Sequence, residues 1–322
     1  MRKFIIKFLI FISPILLLIL WWEHELARMT NSYETKVRLV EKAAPNCEVL
    51  VLGSSHAYFG INPSFFTRKG FNMANTSQSL YYDTEIITRY LPHLPKLKYA
   101  VFPVSYFSLE EEMLAQGSES FRCSFYHRFY HLPDERWIDK FDIRNFSSIA
   151  LYGVPESTRY LRLRFNVNLA EHLASNGWYE VAFDKDDEKN INDASGKTRV
   201  DFHNASMAET NIAYNRALLL KAICLCKDAG VVPILITTPV YHTYRDHIDR
   251  DKFERMQKVI HGLCIETSVK YFNYFADHRF DVDDFHDNDH LNAQGAEKFS
   301  KILDQEVLQN LNEDSSQTQT RP

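Results

Sequence analysis

Four short apolar runs, at 48–52, 99–104, 231–237 and 270–275, alternate with segments of helical period at 78–91, 211–229, 250–268 and 293–310. A run such as Val49-Leu50-Val51-Leu52 shows no polar alternation, as expected of a strand covered on both faces. Strands joined by helices of ten or more residues have the long crossovers of a parallel sheet. The pattern predicts an α/β fold with a doubly wound parallel sheet. With 322 residues, 45% apolar and 25% charged, the chain fits one large domain carrying an insertion. The segment 109–205 breaks the rhythm and reads as that insertion, a cap over one sheet edge. It is rich in Phe, Tyr, His and Arg, and turns charged and loop-like at 183–198.

Residues 4–22 are almost wholly apolar, interrupted by Lys7, Ser13 and Pro14. Nineteen helical residues span about 28 Å, close to the hydrocarbon thickness of a bilayer. Arg2, Lys3 and Lys7 lie at one end of the run and Trp21 and Trp22 at the other. The basic end is expected to stay cytoplasmic, with everything after residue 23 outside. A cleaved signal peptide is the competing reading, but Trp-Trp-Glu-His-Glu offers no small-residue cleavage site. The expected layout is an anchor at 1–23, a polar helical stalk at 24–45, the main domain at 46–311 and a disordered polar tail at 312–322.

A net charge of −5 with no Lys/Arg stripe argues against nucleic acid. Cys47, Cys123, Cys224, Cys226 and Cys264 form no metal-ligand spacing, and Cys224 and Cys226 read as small core residues. In an oxidising compartment the odd count leaves at least one thiol free or paired between chains.

Two motifs carry candidate chemistry. Gly53-Ser54-Ser55-His56 follows the first strand, which delivers Ser55 to the carboxyl edge where α/β sheets bind ligands. A serine hydroxyl needs a base within hydrogen-bond reach before it can attack. Asp287-Asn288-Asp289-His290 precedes the last helix and supplies His290 as that base, with Asp287 to fix its tautomer. Each motif has a plainer reading. Gly-Ser-Ser is also ordinary turn chemistry, and the second segment is crowded with Asp281, Asp283, Asp284, Asp287 and Asp289, as a solvated loop would be. A metal site on His286, His290 and carboxylates is a third option with loosely spaced ligands.

Together these motifs resemble the SGNH, or GDSL-type, hydrolase superfamily. The match comprises Gly53-Ser54-Ser55-His56 with Gly60 beyond it, Asp287-x-x-His290, and the downstream residues 290–303. The resemblance covers 46–108 and 206–305 in outline. It implies a flavodoxin-like three-layer α/β/α sandwich, with Ser55 as nucleophile, His290 as base and Asp287 as orienting acid. Ser54 stands where the family's name-giving Asp often sits. At the end of a short strand, in 71–83, Ser77 stands where the family's second block places an oxyanion-hole Gly, and keeps the backbone N–H. The third block normally supplies an Asn donor. Residues 102–106 contain none, and Ser105 or a residue of the cap is the candidate replacement. Losing such a donor typically costs about 10²–10³ in rate.

The resemblance extends to anchored bacterial cell-envelope proteins, some of which work alongside membrane-bound O-acyltransferases. It implies a serine esterase or O-acyltransferase acting on acylated polysaccharide or a small acyl ester, with no cofactor. The alternative is a non-catalytic envelope protein that binds glycan or docks an acyltransferase. His56, Tyr241 and His242 are further candidates for substrate contact, with a structural role equally open to the last two. Tyr126, His127, Arg128, Tyr130 and His131 read either as a sugar-stacking cluster or as packing inside the insertion. His203 shows no clear partner.

Overall fold

The computed structural model describes residues 1–28, 31–112, 119–132, 141–164, 173–181 and 190–311. They fall into two compact units, one formed by residues 1–35 with 121–171 and the other by 36–120 with 172–322. The segment 109–205 is therefore divided between them. The tail 312–322 and much of the charged loop, at 182–189, lie outside the described residues.

The larger unit holds five parallel strands: β1 Val49–Val51, β2 Gly70–Asn72, β3 Tyr99–Pro103, β4 Val232–Thr237 and β5 Lys270–Asn273. Their order is β2-β1-β3-β4-β5, the flavodoxin-like arrangement, so the expected α/β fold is the observed one. Register sets Leu50 between Phe71 and Ala100, and Val101 opposite Ile234. Side chains alternate across the sheet. Val49, Val51, Tyr99, Val101, Ile234 and Ile236 join a core with Phe299 and Leu303 of the helix Ala293–Leu303. The intervening Leu50, Ala100, Phe102 and Leu235 are fully buried as well, which is why the strands read as unbroken apolar runs. On the other side, the helices Leu80–Tyr90 and Arg250–Thr267 each pack on Ile212–Asp228.

The strands are shorter than the apolar runs that announced them, because ladder pairing stops before hydrophobicity does. The run 48–52 contributes three strand residues and 270–275 contributes four. Helix Ile212–Asp228 ends in a Schellman turn: Val231 N–H donates to Cys226 O and Gly230 N–H to Lys227 O, with Gly230 at φ +73°. Cys226 is buried on that helix, but Cys224 is exposed, which corrects its assignment to the core. Two residues along a helix turn a side chain to nearly the opposite face.

Residues 24–45 are helical in two pieces, the end of Arg2–Ala27 and then Ser32–Ala43. Lys36 and Val40 on the second piece are fully buried. The Lys36 ammonium donates to Ala74 O and lies 4.3 Å from the centre of the Tyr58 ring. Burial pushes its pKa well down.

In the smaller unit, Arg2–Ala27 is one helix whose most apolar 18-residue stretch has mean hydropathy 2.6, long and apolar enough to cross a membrane. Near its end, the Glu23 carboxylate caps the helix Ser148–Arg164. It accepts from Ser147 Oγ at 2.9 Å, Ile149 N at 3.1 Å and Ser148 N. Tyr33 packs on Phe125, Tyr126 and Tyr130 at ring distances of 5.0, 5.1 and 6.1 Å. Tyr126 and Tyr130 are buried, so these rings belong to the core of this unit rather than to a sugar-stacking face.

Candidate active site

The site is built at the carboxyl end of β1, where the strand order reverses and α/β sheets place ligands. Gly53 turns the chain with φ +108°, and a Cβ there would come within 3.1 Å of Pro103. Its N–H donates to Asp83 Oδ1 at 2.8 Å, fixing the turn. Ser55 then opens the short helix Ser55–Gly60, so its N–H is one of the helix's orphan donors.

His290 reaches this serine from a turn 235 residues away in sequence, its Nε2 2.7 Å from Ser55 Oγ. On the other side of the ring, Nδ1 lies 2.8 Å from Asp287 Oδ2. Asp287 Oδ1 also accepts the backbone N–H of Asp289 and of His290, at 3.0 and 2.8 Å, so the carboxylate fixes both the turn and the ring. The Phe59 ring meets the imidazole edge-on at 5.2 Å. Asn292 caps the following helix through Gly295 N–H and donates to Asp283 O and Phe285 O. Gly295 is required there, since a Cβ would stand 2.0 Å from Asp284 O.

Burial disfavours charge on His290, but the Asp287 and Asp289 carboxylates outweigh it and raise its pKa. A base of this kind is ready to take and hold a proton. Ser55 and His290 are each only 6% exposed, whereas the Asp287 side chain is 40% exposed.

Behind His290 lies a buried network that sequence reasoning did not find. His56 Nε2 is 3.0 Å from Asp289 Oδ2, and His56 Nδ1 is 2.8 Å from Ser105 Oγ. Arg199 Nε donates to both Asp289 oxygens, at 2.8 and 3.0 Å. His203 Nε2 stands 3.9 Å from Asp289, and its Nδ1 is 2.6 Å from Tyr244 OH. Burial pushes the Asp289 pKa upwards, but His290, Arg199 and His56 pull it well below the usual carboxylate range. Burial dominates at His56 and His203, and lowers both despite Asp289. Arg199 comes from the helix Asp193–Ser206, inside the predicted insertion, and no sequence signal tied it to the site. Asp289 was legible only as one carboxylate among five.

The other predicted residues separate. Ser77 lies at the end of the turn after β2 with φ +56°, the left-handed conformation that glycine adopts without strain. Serine thus stands in a glycine-shaped position, its Oγ 3.3 Å from Glu119 Oε2. Ser77→Gly is expected to raise stability by about 1 kcal/mol, relief of strain exceeding the added chain entropy. Ester turnover should be unchanged, because the N–H remains. Thermal melts and turnover of p-nitrophenyl acetate check both, and a fall in turnover would show that the hydroxyl matters. Ser105 is engaged with His56, not with Ser55. Tyr241 packs on Phe285 at 5.5 Å, and its N–H donates to Asn288 O. His242 is 53% exposed and faces Asp246 at 3.3 Å. Among the described residues, neither side chain is hydrogen-bonded to Ser55 or His290.

A cavity of about 20 Å³ adjoins the turn, lined by Ser54, Ser77, Asp83, Phe107 and Glu111, with room for about one water. Burial pushes both carboxyls up, Asp83 to about 7 and Glu111 to about 7. His56, Asp289 and His290 bring possible metal-ligand atoms within 4.8 Å of one another, a different set from the His286–His290 pair that the sequence offered. Arg199 already supplies positive charge there, and the ring nitrogens face Ser105, Asp289, Ser55 and Asp287.

No family model matches the sequence, and no curated protein matches it. Among solved structures, one from Bacteroides fragilis described as a "putative acylhydrolase" is similar over 84% of this chain and 93% of that one. Its identity is 10% and its TM-score 0.39.

Proposed function

We propose that this chain is a membrane-anchored serine acyl-ester enzyme of the SGNH type, an esterase or O-acyltransferase. The observation that carries the reading is His290 bridging Ser55 and Asp287, at 2.7 and 2.8 Å. In the proposed cycle His290 takes the Ser55 proton while Ser55 Oγ bonds to the ester carbonyl carbon. The N–H groups of Ser55 and Ser77 face the developing oxyanion. The carbonyl–alkoxy bond then breaks, His290 passes its proton to the leaving alcohol, and an acyl-serine remains. Water or a sugar hydroxyl next gives a proton to His290 and takes the acyl group, the acyl–Oγ bond breaks, and His290 returns that proton to Ser55 Oγ. Asp287 holds the ring and offsets its charge through both transfers.

The helix Arg2–Ala27 serves as the anchor in this reading, its basic end cytoplasmic and the site outside. Acylated envelope polysaccharide is the proposed substrate, and a membrane O-acyltransferase the proposed partner. Residues 102–106 offer no Asn side chain as a third oxyanion donor. That observation favours the second reading, a non-catalytic protein that binds glycan or docks an acyltransferase.

Labelling by a fluorophosphonate separates the two. The full chain in detergent should label at one serine, turn over p-nitrophenyl acetate, and lose both properties in Ser55→Ala. A well-folded wild type that takes no label would move the assignment to the binding reading.

A further inference from the structure

Phe141, Ile143 and Phe146 are 78%, 66% and 71% exposed, three large apolar side chains within six residues. Exposed apolar residues of the larger unit, such as Phe202, Val232 and Ile265, are scattered along its sequence, and single ones of that kind need no explanation. The cluster does. It sits on a tight turn, Ile143–Asn145, whose backbone is largely satisfied internally. Asn145 N–H donates to Asp142 O, while Phe146 and Ser147 N–H donate to Ile143 O. The two charges on the turn cancel, Arg144 binding the Asp142 carboxylate through Nε and Nη2 at 2.9 and 2.5 Å. A turn with paired charges and few unmet donors enters a low-dielectric surface at little cost.

Its position names the partner. Residues 147–149, directly after the ridge, are bound by Glu23. Glu23 follows Trp21 and Trp22, where the apolar run 4–22 ends. The ridge is therefore tied to the level at which a membrane-crossing helix leaves the hydrocarbon, where aromatic side chains concentrate.

We propose that Phe141, Ile143 and Phe146 form a second membrane contact, entering the interface of the leaflet from which the helix Arg2–Ala27 emerges. The inference rests on the reading of that helix as a retained span. Two contacts on one unit resist tilting of that unit against the bilayer, as a single helix does not.

The test uses the full chain in phosphatidylcholine–phosphatidylglycerol vesicles, with the photo-crosslinker p-benzoylphenylalanine placed singly at Phe141, Ile143, Phe146, Leu16 or Ile265. Irradiation followed by mass spectrometry reads the adduct. Lipid adducts are expected at the three ridge positions and at Leu16, and none at exposed Ile265. Lipid at Leu16 but none at the ridge would overturn the proposal and leave the anchor standing. Crosslinks from the ridge to protein would replace the bilayer with a protein partner. Absence of lipid at Leu16 would remove the span, and the ridge contact with it.

Discussion

Replacing His290 with alanine is expected to lower kcat for p-nitrophenyl acetate by about 10⁵–10⁶, the scale seen when the base of a serine triad is removed. The geometry leaves no substitute, since His56, the nearest other imidazole, is turned to Asp289 and Ser105. Asp287→Asn should cost less, roughly 10³ against the 10⁴ typical of a buried triad carboxylate. Two features soften it: Asp287 is 40% exposed, and Asp289 Oδ1 stands 3.6 Å from the same ring nitrogen. The active form of His290 is neutral and its pKa is raised, so the acidic limb of the wild-type profile should lie above the usual 6.5. Residual activity within tenfold of wild type in His290→Ala would sink the proposed mechanism.

Asp83→Asn is expected to stabilise the protein, and increasingly so as pH rises from about 4 to about 7. Burial pushes the folded-state pKa of Asp83 from 3.8 to about 7. Raising a carboxyl's pKa means that the folded protein resists its ionisation. The penalty is absent below the unfolded pKa, grows between the two values, and is full above the folded one. One pKa unit corresponds to about 1.4 kcal/mol, so the difference from wild type approaches about 4 kcal/mol as an upper bound. Asparagine is the isostere of the protonated acid and can still accept from Gly53 N–H and from Gln78 Nε2, which lies 2.6 Å from Asp83 Oδ1. Denaturant melts at pH 4.5 and pH 8 measure it. An equal gain at both would mean that Asp83 titrates normally.

The strand-and-helix rhythm was legible because buried parallel strands must be apolar on both faces, and it marked β1, β3, β4 and β5, while the three-residue β2 stood outside it. Their ends were less legible, because hydrophobic burial at Leu52 and Phe275 outlasts ladder pairing. Ser55, His290 and Asp287 could be picked out because strand-end turns and Asp-x-x-His are local patterns, and the structure brings the three within hydrogen-bond distance. Arg199 carried no such mark: it sits in the middle of a helix inside a segment read as a cap, 90 residues before Asp289. The resemblance offers Ser105 as a replacement donor, and only the structure shows its hydroxyl 2.8 Å from His56 Nδ1.

Sequence alone determined what depends on neighbours along the chain: the apolar span at 4–22, the buried strands, the glycine turn before Ser55 and the Asp-x-x-His turn. Tertiary structure decided which distant charges meet. Asp289 looked like one of five solvated carboxylates, yet it is buried against Arg199, His56 and His290, because helix Asp193–Ser206 closes over that end of the sheet. At Gly196 on that helix a Cβ would come within 2.2 Å of Thr243 O, so glycine lets the helix approach. Burial and long-range charge are properties of the packed chain, and hydrophobic periodicity, the main signal in a sequence, carries neither.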